Sequence, residues 1–180
     1  MSGAAPRRAA AAWLGAALLL AAGCSFGDEP AADESEGTAA RVVDGDTLAL
    51  EDGRRVRLVQ IDAPEVPERE CHGADSAADL LSLVPEGTDV RLVRDPGLND
   101  VDRFGRLLRY VFVGERNVNL ELVRLGAAAP YFFGGGRGRY ADRLLDAAEE
   151  AQERGAGLWS ACPGTALHPG RTLATGPERL

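Results

Sequence analysis

The stretch that most constrains this chain is residues 57–65, RLVQIDAPE, in which an apolar run carries charged groups at both ends. It begins with Arg57 and ends with two carboxylates, Asp62 and Glu65. Pro64 lies between the acids, and because proline cannot donate to a sheet ladder, the predicted strand must stop there. Acids beside an arginine at the end of a strand are typical of a functional site.

A second acid-rich stretch, VDGDT at residues 43–47, precedes the first, and its Asp46 follows a turn-prone Asp-Gly pair. A further Asp-Gly pair between the two stretches is a hairpin signal, so we expect them to lie on neighbouring strands. Asp46, Asp62 and Glu65 would then converge with Arg57, a combination that suits a metal ion and a phosphate. Plain turn chemistry for Asp46 and a solvated strand edge for Arg57 are the alternatives.

The hydrophobic periodicity predicts short strands followed by helices. Strand patterns occur near residues 48–50, 56–61, 88–93 and 107–113, and helical spacing occurs near residues 74–84, 119–125 and 140–154. Strands and helices do not alternate as βαβ units, which indicates an α+β domain. We expect a five-stranded closed barrel of the oligonucleotide/oligosaccharide-binding (OB) type with about three helices.

The N-terminus has the features of an export signal. Two arginines precede an uncharged stretch at residues 9–22, which is shorter than the roughly 20 residues needed to span a bilayer. The stretch ends in Gly23-Cys24, which resembles a bacterial lipobox. We therefore predict a signal peptide at residues 1–23 and an exported lipoprotein that contacts the membrane only through lipid on Cys24. A freely secreted protein and an uncleaved anchor are the alternatives.

Composition sets the predicted domain boundaries. Residues 24–40 are rich in Ala, Asp, Glu, Ser and Gly, which predicts a disordered tether. The folded domain is expected at residues 41–162. The tail, residues 163–180, has no periodicity and is predicted to be disordered.

Two cysteines remain once Cys24 is assigned to lipid, namely Cys71 and Cys162. In an oxidising compartment an even pair is most simply a disulfide, and two free thiols are the alternative. His72 and His168 do not cluster with cysteines at the spacing of metal ligands, which argues against a zinc site.

The chain carries a formal net charge of -8, and every basic residue is arginine. This charge counts against a protein that coats DNA through a broad basic face. It is compatible with an enzyme whose few arginines contact one phosphate at a time, particularly if a cation offsets the local acids.

Four short motifs resemble the thermonuclease, or staphylococcal nuclease-like, family in the same order and at similar separations. They are residues 43–47, residues 57–65, DRFGR at residues 102–106 and Leu-Trp at residues 158–159. The resemblance covers about residues 41–162. It implies an OB-fold barrel with helices that hydrolyses phosphodiester bonds of DNA and RNA with calcium.

The resemblance also implies roles for particular residues. The calcium ligands would be Asp46, Asp62 and, through its main-chain carbonyl, Ala63; the catalytic residues would be Arg57, Glu65 and Arg106. Glu65 would act on the attacking water while the two arginines hold the phosphate. The family's type member has threonine where this chain has Ala63, and a carbonyl ligand survives that difference. Tyr131 and Phe133 lie where the family has tyrosines near the nucleotide, although core packing is an alternative for two of the three aromatics at residues 131–133.

The sequence therefore predicts a monomeric, calcium-dependent nuclease of low sequence selectivity that acts outside the cytoplasm. The alternative is a catalytically weak OB-fold module that binds single-stranded nucleic acid at the cell surface. The acidic net charge favours the module. The complete set of acids and arginines favours the enzyme.

Overall fold

The structure, a computed structural model, describes residue 1, residues 34–66 and residues 70–177. The predicted signal peptide beyond Met1, the predicted lipidation site Cys24 and the first part of the predicted tether lie outside these described residues. Within the described ranges, no helix combines the length and the apolar character that crossing a bilayer requires.

In chain order the described elements are strands and helices with the following bounds: β1 (Glu34–Asp44), β2 (Thr47–Leu50), β3 (Arg55–Leu58), β4 (Ile61–Asp62), α1 (Gly73–Leu83), β5 (Asp89–Val93), β6 (Leu107–Val113), β7 (Arg116–Asn117), α2 (Val118–Leu125), β8 (Ala129–Pro130), α3 (Ala141–Glu153) and α4 (Leu158–Ala161). A short 3₁₀ turn, Phe133–Gly135, precedes α3.

Among these elements, β3, β2, β1, β5 and β6 pair in that order, each antiparallel to the next. A parallel pairing between β3 and β6 closes the ring. Closure leaves the barrel without exposed strand edges along its length. The predicted α+β fold, a five-stranded OB barrel with about three main helices, is confirmed.

Strand β1 is longer than the sequence predicts because it serves two sides of the barrel. Its first half, Glu34 to Thr38, pairs with β5, and its second half, Ala39 to Asp44, pairs with β2. The ladder with β2 is irregular at two places, which lets one strand bend between two partners. The last seven residues of the predicted tether thus belong to the barrel, and the fold begins before residue 41.

Helices α2 and α3 close one side of the barrel through small and branched apolar side chains, including Leu144 and Ala148, which are fully buried. A buried amide fixes α2 to the strands. Asn119 accepts a hydrogen bond from the N–H of Val111 (2.9 Å) and donates to the carbonyl of Val59 (2.9 Å). Because a buried polar group is costly unless it is paired, this amide specifies one position for the helix.

Cys71 and Cys162 form a disulfide with a Cα–Cα distance of 5.8 Å. It joins the loop that follows β4 to the end of α4. The structure therefore contains the predicted disulfide.

The segment at residues 163–177, called here the C-terminal strap, has no helix but lies against the barrel. The carbonyl of Pro169 accepts from the N–H of Phe132 (2.6 Å), and the carbonyl of Gly176 accepts from the N–H of Cys71 (2.8 Å). For residues 163–177 this arrangement differs from the predicted disorder, while the last three residues of the predicted tail lie outside the described residues. The strap is held by main-chain hydrogen bonds, which leave no periodic signal in the sequence.

Candidate active site

The turn that carries Asp46 is pressed against the segment that follows β4. A Cβ atom added to Gly45 would lie 2.7 Å from the Cβ of Ala63 and 2.8 Å from that of Ser76, closer than packed carbon atoms approach. Glycine is therefore required at the centre of the Asp-Gly-Asp sequence. The N–H of Ala63 in turn donates to the Oδ2 of Asp46 (3.2 Å). The two acid-rich motifs of the sequence thus meet directly.

Arg57 lies between the two acids that the family resemblance suggests as calcium ligands. Its Nη1 is 2.9 Å from the Oδ2 of Asp46, and its Nη2 is 2.5 Å from the Oδ1 of Asp62. Nη1 also donates to the carbonyl of Ile61 (3.0 Å). The side chain of Arg57 is only 15% exposed. Asp46, Arg57 and Asp62 therefore converge as expected.

A tight turn between β3 and β4 aims Asp62 into this cluster. Gln60, at the turn, has a left-handed backbone with φ +65°, and its buried side chain donates to the carbonyl of Gly136 (2.7 Å) and accepts from the N–H of Gly138 (2.8 Å). A left-handed conformation is unfavourable for glutamine, and these hydrogen bonds offset its cost. Strand β4 then pairs with β8, which fixes the direction of Asp62.

Arg106 directly precedes β6, which pairs with the strand of Arg57, and it reaches the same region. Its Nε donates to the Oδ2 of Asp102 (2.7 Å), and its Nη1 donates to the Oγ1 of Thr47 (3.3 Å). The hydroxyl of Thr47 donates to the Oδ1 of Asp46 (3.0 Å). Thr47 and Asp102 were not assigned roles from sequence, although both belong to the motifs that carry the resemblance, and their hydrogen-bonding side chains were the available signal.

The acidic side of the cluster carries excess negative charge. Burial raises the pKa of Asp46 to about 7; the Arg57 guanidinium acts against this shift, and the carboxylates of Asp44 and Asp62 add to it. Burial likewise raises the pKa of Asp62. For Arg57, burial opposes the charged form, but the surrounding carboxylates, including Glu65, outweigh it and raise the guanidinium pKa. The Arg57 guanidinium is therefore the shared counter-charge of several carboxylates.

The donor set of this cluster fits a calcium ion. In the described part of the chain, no group of three or more histidine, cysteine, aspartate or glutamate side chains is arranged to hold a metal. The candidate set is consequently two carboxylates, Asp46 and Asp62, with the carbonyl of Ala63. Oxygen donors without nitrogen or sulfur suit calcium, which takes about six to eight oxygens including water. The excess negative charge around Asp46 favours a cation at this place.

A cleft of about 600 Å³ adjoins the cluster. The predicted site residues that line it are Arg57, Asp62, Glu65, Arg106, Tyr131 and Phe133. Glu65 is exposed at the rim. Both predicted catalytic arginines and the predicted base thus face one space.

The three aromatics at residues 131–133 divide between the cleft and the core. Phe132 is buried, whereas Phe133 is 73% exposed and lies edge-on to Tyr131 with ring centroids 6.4 Å apart. Phe104, 64% exposed, also lines the cleft and lies beside Arg106. Sequence reasoning did not single out Phe104; its place between two arginines in the DRFGR motif was the available signal.

The family described as staphylococcal nuclease homologue matches residues 55–161, more than half of the chain. The chain belongs to this staphylococcal nuclease homologue family. The matched range includes the cleft residues Arg57, Glu65 and Arg106, while Asp46 lies just before it.

Several curated proteins are similar to this member of the staphylococcal nuclease homologue family. Protein ParB of Escherichia coli is 38% identical over 144 residues, which span 73% of this chain and 76% of that protein. An uncharacterized endonuclease of Haemophilus influenzae is 37% identical over 124 residues, 67% of this chain and 64% of that protein. A thermonuclease of Staphylococcus hyicus is 31% identical over 127 residues, 67% of this chain and 73% of that protein. These matches support a nuclease.

Proposed function

We propose that this protein is a calcium-dependent nuclease that hydrolyses phosphodiester bonds of DNA and RNA with low sequence selectivity. The observation that carries the proposal is the single cleft into which Arg57 and Arg106 project together with Asp62 and Glu65. The two guanidiniums complement the negative charge of a phosphodiester, and the acidic cluster complements a cation bound beside it.

The acids and one carbonyl form the metal-binding side of this centre. Asp46, Asp62 and the main-chain carbonyl of Ala63 would hold the ion, and the hydrogen bond from Ala63 to Asp46 keeps these groups together. Bound calcium supplies positive charge that offsets the phosphate and helps to orient the reacting groups.

The arginines stabilise the negative charge that grows on the phosphate oxygens during attack. Each guanidinium presents paired N–H donors, and one preorganised donor of this kind contributes about 3 to 4 kcal/mol to transition-state stabilisation. Asp102 and Thr47 hold Arg106 in place before substrate arrives. This prior ordering reduces the reorganisation that the reaction needs.

Glu65 accepts the proton of the attacking water. Its exposed position at the rim gives it access to solvent, and Pro64 restricts the backbone that aims it. A general base of this type contributes about 10² to 10⁴ in rate.

Low selectivity follows from the kinds of contact that the cleft offers. Tyr131, Phe133 and Phe104 present aromatic faces or edges around it. Stacking on an aromatic ring accepts any base, and arginine contacts to phosphate carry no sequence information. The substrate is thus a single-stranded or locally opened nucleic acid rather than one particular sequence.

We propose export as the setting of this activity, through the signal peptide at residues 1–23 and either lipid on Cys24 or free secretion. The disulfide between Cys71 and Cys162 supports this setting, because such bonds persist in oxidising compartments. A monomer is sufficient for the proposed chemistry, since all the assigned residues come from one chain.

The alternative function is a catalytically weak OB-fold module that binds single-stranded nucleic acid. The observation that favours it is the set of aromatic side chains that line the cleft, Phe104, Tyr131 and Phe133, because bases can stack on them without being cleaved. The net charge of -8 limits electrostatic attraction to a polyanion in both functions.

One assay separates the two functions. The protein without its predicted signal peptide is incubated with denatured DNA and with RNA, in calcium and in chelator. We expect cleavage in calcium alone and a loss of at least about 10²-fold in Glu65→Gln. Glu115→Gln, an exposed acid in the β6–β7 turn, is the matched control and should retain full activity. Binding without cleavage by the unaltered protein would support the module instead.

A further inference from the structure

The C-terminal strap reaches the catalytic centre through one main-chain hydrogen bond. The N–H of Leu173 donates to the Oδ2 of Asp62 at 2.8 Å, although the two residues are 111 positions apart in the chain. The other oxygen of the same carboxylate, Oδ1, is held by the Nη2 of Arg57. Asp62 is therefore oriented from both of its oxygens, once by the barrel and once by the strap.

The strap is fixed on both sides of this contact. Before it, Pro169 is bonded to Phe132, and after it, Gly176 is bonded to Cys71, which is itself cross-linked to the residue that precedes the strap. The side chain of Thr175 is buried. A loose terminal segment would not have anchors on either side of one hydrogen bond, so the N–H of Leu173 is presented from a defined position.

The strap also forms part of the cleft wall. Thr172, the residue before Leu173, lines the same cleft as Asp62, Glu65 and the two catalytic arginines. A second, smaller cavity of about 250 Å³ is lined by strap residues and by β8. The strap thus borders two cavities, one of which contains the assigned catalytic groups.

We propose that the C-terminal strap is an integral part of the catalytic centre and that Leu173 is a positioning residue, whose main-chain N–H fixes the Asp62 carboxylate for calcium binding. This inference rests on the proposed calcium-dependent function. Partners that orient a metal-binding side chain typically contribute about 10- to 100-fold to metal affinity or activity. A main-chain donor is well suited to this task, because its direction is set by the fold and not by a rotamer.

The test removes the donor and keeps the strap. Leu173→Pro deletes the N–H, Leu173→Ala keeps it while shortening the side chain, and Ala174→Pro places the same ring at the next, exposed position. The measurements are the calcium Kd by titration calorimetry, kcat/KM on denatured DNA, and the melting temperature. We expect calcium binding about tenfold weaker in Leu173→Pro. The two control variants should remain within about twofold of the unaltered protein.

A double-mutant comparison tests whether Leu173 acts through Asp62. In an Asp62→Ala background, Leu173→Pro should cause no further loss of calcium affinity. An additional tenfold loss there would mean that the strap supports the fold generally, which would overturn the positioning role.

A truncation after Gly164 provides a second route if Leu173→Pro does not fold, because it removes the strap beyond Gly164 and keeps the Cys71–Cys162 disulfide. The truncated protein should also bind calcium at least about tenfold more weakly. Unchanged affinity, or higher activity in either variant, would overturn the proposal and identify the strap as dispensable or inhibitory.

The outcomes also separate this inference from the proposed function. Cleavage by the unaltered protein with equal cleavage and calcium affinity in Leu173→Pro would overturn the strap inference and leave the nuclease intact. Calcium binding that is weakened in Leu173→Pro, without any cleavage by the unaltered protein, would overturn the nuclease and keep the positioning role. An unaltered protein that neither binds calcium nor cleaves would overturn both.

Discussion

Two neighbouring acid–arginine clusters lie at the cleft, and they differ in how their charges are balanced. Arg57 and Arg106 are similarly buried, with side chains 15% and 18% exposed. Burial raises the pKa of Asp46, beside Arg57, to about 7. Burial also acts on Asp102, beside Arg106, but hydrogen bonds from Arg106 and from main-chain N–H groups outweigh it and lower the pKa.

The difference arises from the deeper burial of Asp46 and from the number of acids that share its arginine. Asp102 has one arginine to itself, and its Oδ1 also accepts the main-chain N–H groups of Phe104 (2.9 Å) and Arg106 (3.0 Å). Asp46 must share Arg57 with Asp62 in a more buried place. The charges of Asp102 and Arg106 therefore balance each other, whereas the cluster around Arg57 has more carboxylates than positive charges. A bound cation or a proton would offset the charge around Arg57, whereas the Asp102–Arg106 pair requires neither.

The largest expected effect comes from removing either arginine. Arg57→Ala and Arg106→Ala should each lower kcat by about 10² to 10³, because each loses a charged donor to the phosphate. Steady-state kinetics with denatured DNA measure kcat, and thermal unfolding in calcium measures the stability of each variant. Arg116→Ala, an exposed arginine on β7, is the control. Loss of activity that merely follows the loss of folded protein would contradict the assignment of both arginines.

A smaller effect is expected from the partner of Arg106. Asp102→Asn weakens a charged hydrogen bond that orients the guanidinium, so kcat should fall by about tenfold. Asp142→Asn, an exposed acid that pairs with Arg137 away from the cleft, should leave kcat unchanged. If Asp102→Asn matched Arg106→Ala in its loss, Asp102 would itself have a direct role in the chemistry.

The charge imbalance predicts how calcium binding depends on pH. Because the pKa of Asp46 is raised from its ordinary value of 3.8 to about 7, its contribution to stability is present at low pH and is lost as the pH rises through about 7. The lowered pKa of Asp102 gives the opposite sign, with stability lost only as the pH falls into the acidic range below 3.8. Without calcium, the Asp46 contribution should therefore weaken the fold between pH 5.5 and pH 8.

Calcium should reverse that loss, since the ion binds the ionised carboxylate. The gain in melting temperature on adding calcium should be greater at pH 8 than at pH 5.5, by about 2 to 4 °C for each kcal/mol of added stability. Asp46→Asn should make the gain small at both pH values. An equal gain at both pH values in the unaltered protein would mean that Asp46 is already ionised at pH 5.5.

The smallest expected effect concerns the hydroxyl that links the two clusters. Thr47→Val removes hydrogen bonds to Asp46 and from Arg106 while keeping the shape of the side chain. We expect a cost of about 1 kcal/mol in unfolding free energy and less than a tenfold loss of kcat. Thr38→Val removes an exposed hydroxyl that contacts Asp89 and is the matched control. An intact kcat in Thr47→Val would show that the two clusters work independently.

The sequence was sufficient for the barrel and for the meeting of its two acid-rich motifs. Alternating apolar residues and Asp-Gly turns are local signals, and a hairpin necessarily brings residues 43–47 beside residues 57–65. The resemblance then extended this reading to Arg106. Each of these predictions depends on residues that are close in sequence or belong to a recognisable motif.

The predictions that differ from the structure involve partners distant in the chain. Glu34 pairs with Val93, and Leu173 bonds Asp62, both through main-chain groups that any residue carries. Such contacts change neither composition nor periodicity, so a polar tether and a real strand end look alike in sequence. The balance of charge was also hidden, because it depends on the deep burial of Asp46 and on its sharing of Arg57 with Asp62, which only the folded chain shows.

The disulfide between Cys71 and Cys162 has a consequence for the durability of the protein after proteolysis. It joins two residues 91 positions apart and closes the chain between them, including the exposed loop around Phe104, into one covalent ring. A protease that cuts this loop once would open the ring without releasing a fragment, because the disulfide would still link the C-terminal piece to the piece that carries Asp46 and Arg57. Reducing agent would then be required to separate a nicked molecule into two.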